Sequence, residues 1–284
     1  MDKPTGPSSH GIVSAARKAL GTRKVGHAGT LDPMATGLLV LGVGTSTRLL
    51  TYLVGADKTY TATVRLGSAT VTDDADGDVT ATADRDVLAA ITDQDIHREI
   101  AALTGVIEQR PSAVSAIKVD GQRAYNLVRA GDDVVLDART VTVSRFVAHA
   151  IRRTPDAIDV DVTVDCSSGT YIRALARDIG SALNCGGHLT ALRRTRVGSL
   201  SVDDACSVDD ISIEQLIPAA HIARDLFPVL TATDDDAIDF GHGKRVATPT
   251  PDAALVAVVH RDRLIAIATV SAGVARVVTG FPHD

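Results

Sequence analysis

Tryptophan is absent from this sequence and all aromatic residues together make up 3%, so aliphatic side chains must build the core. Each of the four tyrosines is therefore worth locating. Cysteine is nearly as scarce: Cys166, Cys185 and Cys206 stand far apart, with no CxxC spacing and no histidine partner. An odd, scattered trio argues against a disulfide framework and against a zinc site, and for a reducing compartment. No apolar run approaches the roughly 18 residues of a membrane span, and the opening MDKPTGPSSHG lacks the apolar stretch of a secretory leader. A soluble cytoplasmic protein is expected. With 284 residues, 45% hydrophobic and 23% charged, the chain is globular in proportion and can hold a main domain and a smaller one.

The net charge of −6 is unevenly spread. Residues 1–30 set Lys3, Arg17, Lys18, Arg23 and Lys24 against Asp2 alone, and residues 139–196 carry nine arginines against five aspartates. Acid gathers in 73–78 (DDADGD), 203–214 and 234–239. A basic face on an acidic protein still binds phosphates, with a salt-sensitive affinity. Charge permits a nucleic-acid partner but does not show one, since any of these residues serves equally to solvate the surface.

Ser8 or Ser9 caps a predicted helix carrying Ile12, Ala15, Ala16 and Ala19, with Gly21 as its stop. GHAGTLDPMATG (26–37) fits neither helical nor strand period. LLVLGVG reads as one buried strand, STRLLTYLVGAD as a short helix and KTYTATVRLG (58–67) as an alternating strand. Residues 68–83 read as an acidic loop. Thr92 opens a helix through Ile96, Ile100 and Leu103, which Gly105 closes. The polar segment 105–131, with Pro111 and the Asp120-Gly121 turn, reads as an exposed functional insertion. Strands are expected at 140–149 and 158–166, followed by a Ser-Ser-Gly turn into the helix YIRALARDIGSAL. Ser212 and Gln215 form a capping box for a helix reaching Ala223. From residue 229 short alternating runs (ALVAVVH, RLIAIATV, ARVVTGF) suggest a small β-domain. The pattern predicts an α+β fold, with a main domain at 1–228 and a second at 229–284.

The densest signal is Gly26-His27-Ala28-Gly29-Thr30-Leu31-Asp32-Pro33-Met34-Ala35-Thr36-Gly37. Asp32 before Pro33 suits a helix N-cap with proline at the first helical position, and a cap or turn role is the better reading of that motif alone. A second segment, Gly169-Thr170-Tyr171-Ile172-Arg173, falls at a strand-to-helix junction, where side chains and free N–H groups face ligands. A Tyr and an Arg two apart there suit a stacking platform beside a charge partner. The third segment, Lys58-Thr59-Tyr60, puts an aromatic on one face of a strand. Two competing motifs fail. LGVGTSTRLL has Thr47 where a dinucleotide fingerprint needs its third glycine, and no acidic residue ends a strand about 20 positions on. Counted from Asp74, DDADGD puts its glycine fourth, not sixth, and Arg85 where a calcium loop needs glutamate, so it reads as a solvated acidic loop.

DKPTGPSSH, GHAGTLDPMATG, ADKTY, GTYIR and HLTALRRTRVG, in this order, resemble the bacterial tRNA pseudouridine-55 synthase family. The resemblance covers about residues 1–200 and continues more weakly to the end; five motifs in order are far more specific than any one. It implies a largely antiparallel central sheet flanked by helices, with the site in its cleft. Asp32 takes the place of the catalytic aspartate, Arg173 of its paired arginine, Tyr60 of the stacking tyrosine, and Tyr171 of the pocket's second tyrosine. His27 matches a base-contacting histidine, Leu192 a leucine against the flipped base, and Lys3 with Pro4 an amino-terminal motif that supports the active-site loop. Segment 105–131 corresponds to an insertion that clasps the T-stem loop of tRNA, and 229–284 to a small PUA-type RNA-binding β-domain. Family members carry further residues, forming a strand, before the DKP motif; here either the start is late or a sheet edge is missing.

The implied reaction breaks the uridine N1–C1′ bond, turns the base and rejoins it through C5. It needs no redox change and no group donor, so no cofactor or metal is expected. Asp32 would attack or stabilise C1′, and Arg173 would lower its pKa. Tyr60, or water assisted by Asp32, would take the C5 proton. A monomer acting on tRNA is expected. The alternatives are a non-catalytic RNA-binding or RNA-folding module, which the presence of Asp32 disfavours, and a synthase acting on another RNA uridine.

Overall fold

The computed structural model describes residues 1–112, 118–119, 122–123 and 136–282. The chain opens with β1 (Asp2–Lys3), α1 (Ser9–Ala19), β2 (Val25–Ala28), β3 (Thr36–Leu38), β4 (Val40–Val43) and α2 (Leu50–Val54), then the long strand β5 (Lys58–Leu66). The hairpin β6 (Ser68–Thr70) and β7 (Val79–Thr82), α3 (Arg85–Ala90), α4 (Asp93–Ala102), β8 (Gly105–Gln109), β9 (Lys118–Val119) and β10 (Gln122–Arg123) follow. β11 (Arg139–Arg153), β12 (Ile158–Cys166), α5 (Ile172–Ala182), β13 (Gly187–Val197) and β14 (Leu200–Ser201) come next. The remainder is α6 (Ala219–Leu226), β15 (Val229–Thr231), α7 (Asp234–Gly241), β16 (Val246–Ala247), β17 (Ala253–His260), β18 (Arg263–Ser271) and β19 (Val274–Gly280).

Eight strands form the central sheet in the order β1-β3-β13-β5-β12-β11-β8, with β14 alongside β13. Its β3–β13 pair is parallel and the rest are antiparallel, so the expected mixed, largely antiparallel architecture holds. Alternation decides which face is buried. Lys58, Tyr60, Ala62, Val64 and Leu66 of β5 point inward beside Cys166, Val164, Val162, Val160 and Ile158 of β12. On the outer face Thr59, Thr63 and Arg65 instead bond Asp165, Asp161 and Asp159 at 2.6, 2.8 and 2.8 Å. The inner face is covered by Ile172, Leu175 and Ile179 of α5 and by Ile96 and Ile100 of α4. Burying each such side chain is worth roughly 1.5–3 kcal/mol. Helix and sheet meet closely where Gly180 of α5 faces the start of β13: a Cβ there would lie 2.2 Å from the Gly186 carbonyl carbon.

β13 does not alternate strictly. Its register against β5 shifts between Leu189 and Ala191 and again between Arg194 and Arg196. The two bulges put Leu189, Leu192, Arg194 and Val197 all on the buried face. Beyond this sheet, β15-β17-β18-β19-β16 form a five-stranded C-terminal half-barrel around Phe240, Val256, Ile265 and Val270. Between the two sheets, Ala220 and Ala223 of α6 pack with Leu49 and with Leu264, Ile267 and Phe281. Tyr52 meets Phe227 edge-on at 5.3 Å and its hydroxyl lies 2.7 Å from that of Thr279.

Several expectations change. LLVLGVG is two strands, because Leu39 turns fully inward between β3 and β4 and sends them to different partners. No helix follows Asp32; residues 32–35 form a turn closed by the Ala35 N–H on the Asp32 carbonyl, at 3.1 Å. Residues 68–83 are a hairpin whose connection buries Asp73 and Asp74, not a solvated loop. The first five residues of segment 105–131 are the sheet-edge strand β8, while 113–117, 120–121 and 124–131 lie outside the described residues. Ser212–Gln215 makes one 3₁₀ turn without a side-chain cap, and α6 begins only after Pro218. At the amino end, Asp2 and Lys3 of β1 pair with Leu38 and Gly37. The three cysteines are free, and no described helix is long and apolar enough to cross a membrane.

Candidate active site

The Asp32 turn is fixed from below. Ser8 caps α1 by accepting from the Gly11 N–H at 3.1 Å, which frees the buried Ser9 for another task. The Ser9 hydroxyl accepts from the Leu31 N–H at 2.8 Å and donates to the Leu31 carbonyl at 2.9 Å. Lys3 is fully enclosed, and its ammonium donates to the carbonyls of Pro4, Pro33 and Ala35 at 2.9, 3.1 and 2.6 Å. Burial lowers its pKa, opposed by the nearby Asp32 charge. Three carbonyls converging on one cation make Lys3 a strut for the turn; it does not line the cavity above.

Above the turn lies a cavity of about 260 Å³, walled by Gly29–Asp32, Lys58, Tyr60, Ser168–Arg173, Leu192 and Arg194, with Val54 at its rim. Five residues singled out in the sequence thus meet there: Asp32, Tyr60, Tyr171, Arg173 and Leu192. Arg173, whose side chain is 5% exposed, points its Nε at Asp32 Oδ2, 3.0 Å away, and its Nη2 at Oδ1, 3.4 Å away. Its Nη1 donates to the Thr72 carbonyl at 2.5 Å and pairs with Asp74 Oδ2 at 3.4 Å. One buried guanidinium therefore joins two carboxylates. The consequence for Asp32 runs against the sequence expectation: its pKa is raised, because burial, aided by the Asp74 charge, outweighs the opposing pull of Arg173. Arg173 moderates the shift without reversing it.

Tyr60 is buried, with its hydroxyl against the Arg194 guanidinium; burial pushes its pKa up, so it is a neutral phenol at neutral pH. Arg194, 1% exposed, donates to the Leu38 carbonyl at 2.8 Å and to the Gly29 carbonyl at 2.9 Å, tying β13 to both arms of the segment that holds Asp32. Gly37 permits this approach: a Cβ there would sit 2.2 Å from the Arg194 carbonyl oxygen, and its φ is +97°. Lys58 is buried too, with its ammonium on the Val54 and Ala56 carbonyls at 3.0 and 2.6 Å, and burial lowers its pKa. His27 stands apart. It lies on β2, outside the cavity lining, with Nδ1 buried and unpartnered among the described residues. Its pKa is lowered by burial and then by Arg194.

Asp74, Arg194 and Lys58 were not recognised as site residues from the sequence. Arg194 and Lys58 sit inside motifs that carry the resemblance, so position within those motifs was the available signal. Asp74 had none, since a pair of aspartates in an acidic stretch reads as solvent-facing. Among the described residues no cluster of three or more His, Cys, Asp or Glu is placed to hold a metal.

The sequence matches the family model for the TruB family pseudouridylate synthase N-terminal domain over residues 17–172, and that for the tRNA pseudouridylate synthase B C-terminal domain over 173–235. The chain belongs to the TruB family of pseudouridylate synthases. A TruB-family pseudouridine synthase is an isomerase, and so is this protein. It is 58% identical over 247 residues to the tRNA pseudouridine synthase B of Leifsonia xyli, covering 87% of this chain and 82% of that one. With the protein of the same name from Cutibacterium acnes it shares 54% over 271 residues, 94% and 90% of the two chains. Among solved structures, the crystal structure of a Cbf5-Nop10-Gar1 complex aligns at a TM-score of 0.72 and 26% identity, over 99% of this chain and 83% of that one. An H/ACA RNP bound to a substrate RNA containing 2′-deoxyuridine aligns equally well, at 25% identity over 99% and 84%. The N-terminal match ends at Ile172, the first residue of α5, so Arg173, Leu192 and Arg194 fall in the C-terminal match.

Proposed function

We propose that this protein isomerises uridine-55 in the T-loop of tRNA to pseudouridine, with Asp32 as its catalytic carboxylate. The reading rests on one arrangement: Asp32 reaches a small cavity walled by Tyr60, Tyr171 and Leu192 and is gripped by a buried guanidinium. A uridine inside a folded loop must leave its stack to be reached, and a flipped base needs aromatic and aliphatic walls to replace the contacts it gives up. At about 260 Å³ the cavity suits one base with its sugar better than a drug-sized ligand.

In this reading Arg173 holds the Asp32 carboxylate toward C1′, where it attacks or stabilises developing positive charge as the N1–C1′ bond opens. Tyr60, Tyr171 and Leu192 keep the detached base in place while it turns. C5 then bonds to C1′, any Asp32–C1′ bond breaking as it forms; the C5 proton passes to a water held by Asp32, or to Tyr60 if that phenol first gives up its own, and N1 takes up a proton. One C–N bond is exchanged for one C–C bond, with no net electron transfer and no group donor. Lys3 braces the turn, and His27 contacts RNA displaced around the flipped base. Segment 105–131 grips the T-stem loop, and 229–284, as a PUA-like domain beside the catalytic domain of residues 1–228, adds further RNA contact. The protein acts as a cytoplasmic monomer.

The test uses a tRNA transcript tritiated at uridine C5, since rejoining through C5 releases that label to water. Wild type and Asp32→Asn are compared after their tRNA affinities have been measured. Release by the wild type alone, confined to one T-loop uridine, is the expected result. Tight binding by both without release would overturn the reading in favour of an RNA-binding module.

A further inference from the structure

A buried glutamine is costly unless its amide is bonded, because it brings two donors and an acceptor into a dry interior. Gln109, 1% exposed at the end of β8, is such a residue. Its Oε1 accepts from the Tyr171 N–H at 2.8 Å, and its Nε2 donates to the Tyr171 carbonyl at 3.0 Å. The side chain thus does for one residue what a neighbouring strand does in a hydrogen-bonded antiparallel pair, exchanging both bonds. Tyr171 is the residue from which α5 departs, and its own side chain makes no cap hydrogen bond. Holding its backbone on both sides fixes the direction of the first turn, and Arg173 lies in that turn.

The next residues are stitched down as well. The Arg110 carbonyl accepts from Arg177 Nη2 of α5 at 2.7 Å, and the Ser112 hydroxyl donates to Asp73 Oδ2 at 2.6 Å. Asp73 adjoins Asp74, the second partner of Arg173. Residues 109–112 therefore bind both the helix that carries Arg173 and the turn that carries Asp74. A leucine would fill the space of Gln109 with no need of partners; what the glutamine adds is a pair of bonds ending on the cavity wall.

We infer that Gln109 is a positioning residue for the isomerisation, setting Tyr171 and, through the first turn of α5, the Arg173–Asp32 pair. The inference rests on the placing of Tyr171 and Arg173 in the active site proposed above. Single-turnover tritium release at saturating enzyme, paired with tRNA Kd from filter binding, tests it on wild type, Gln109→Leu and Gln109→Asn. Absence of release from wild type would end the functional reading itself. Given wild-type release, both variants are expected to lose about 10- to 100-fold in rate, the scale of a small misplacement of reacting groups, with Kd unchanged. If Gln109→Leu does not fold, Gln109→Asn, which keeps the amide and loses only its reach, carries the test. A wild-type rate in either folded variant, a loss confined to Kd, or unfolding of both assigns Gln109 to binding or stability alone and overturns the inference.

Discussion

Replacing Asp74 by asparagine removes a charge while keeping shape and most hydrogen-bonding capacity. Asp74 Oδ1 accepts from the Thr72 hydroxyl at 2.5 Å and from the Asp76 N–H at 3.1 Å, and an asparagine oxygen serves both. What disappears is the attraction to Arg173 across 3.4 Å, about 5 kcal/mol at an effective dielectric of about 20. Against this, a buried carboxylate no longer has to be desolvated, which recovers several kcal/mol. Arg173 also keeps Asp32 and the Thr72 carbonyl, so the net loss of stability should be only about 1–3 kcal/mol. The catalytic effect should be larger than the structural one. A guanidinium released on one side can tilt and carry the Asp32 carboxylate with it, and a shift approaching 1 Å costs on the order of 100-fold in rate. Single-turnover tritium release measures that rate, and filter binding should show unchanged tRNA affinity. A wild-type rate in a folded Asp74→Asn protein would refute the reasoning, because Asp32 and Thr72 would then suffice to place Arg173.

Further outcomes follow from other contacts. Because the Asp32 pKa lies above the ordinary 3.8, the acid limb of the pH–rate profile should fall at a pH above 3.8, and an inflection at or below it would contradict the burial argument. The same raised pKa means that ionised Asp32 costs stability: the folded state holds its proton more tightly, so stability is lost as pH rises from about 3.8 through the folded pKa. Thermal melts should accordingly show Asp32→Asn to be more stable than wild type at pH 7, with the gap closing toward pH 4. Gly180→Ala should lower stability by about 3 kcal/mol or more in denaturant titration, since its Cβ meets backbone atoms at 2.2 Å. Arg194→Met should cost about 2–4 kcal/mol, as it strands the buried Leu38 and Gly29 carbonyls, and a neutral result would show that water reaches them.

Where local chemistry agrees with global packing, the sequence was legible. The strict alternation of β5, the start of α4 after Thr92 and the strand pair β11–β12 appear where the sequence pattern put them. Tyr60, Tyr171 and Arg173 stood out by local pattern, but that they share one cavity wall with Asp32 and Leu192 was legible only through motif resemblance, because Asp32 and Arg173 lie 141 positions apart and no period connects them. Asp74 was missed for a physical reason: its burial depends on Arg173, which only the folded sheet brings to it. The direction of the Asp32 pKa was missed in the same way. An arginine partner is visible in a sequence, whereas the desolvation that overrides it is a property of the closed site. The C-terminal strands were readable as alternating runs, but α7 between them was not expected.

The two bulges of β13 make one wall of the cavity a matter of counting. Between Leu189 and Ala191 one extra residue, Thr190, shifts the parity of the strand, and that shift turns Leu192 and Arg194 inward together. Thr190 itself has no partner on β5; the bulge absorbs it, leaving Leu189 opposite Val64 and Ala191 opposite Thr63. Deleting Thr190 would let Ala191 follow Leu189 in plain alternation and keep Leu192 and Arg194 inward, whereas deleting Arg193, which no bulge absorbs, would turn Arg194 to the outer face and open the wall beside Tyr60. Deletion should therefore be tolerated at 190 far better than at 193, a contrast invisible to any inspection of residue identity alone.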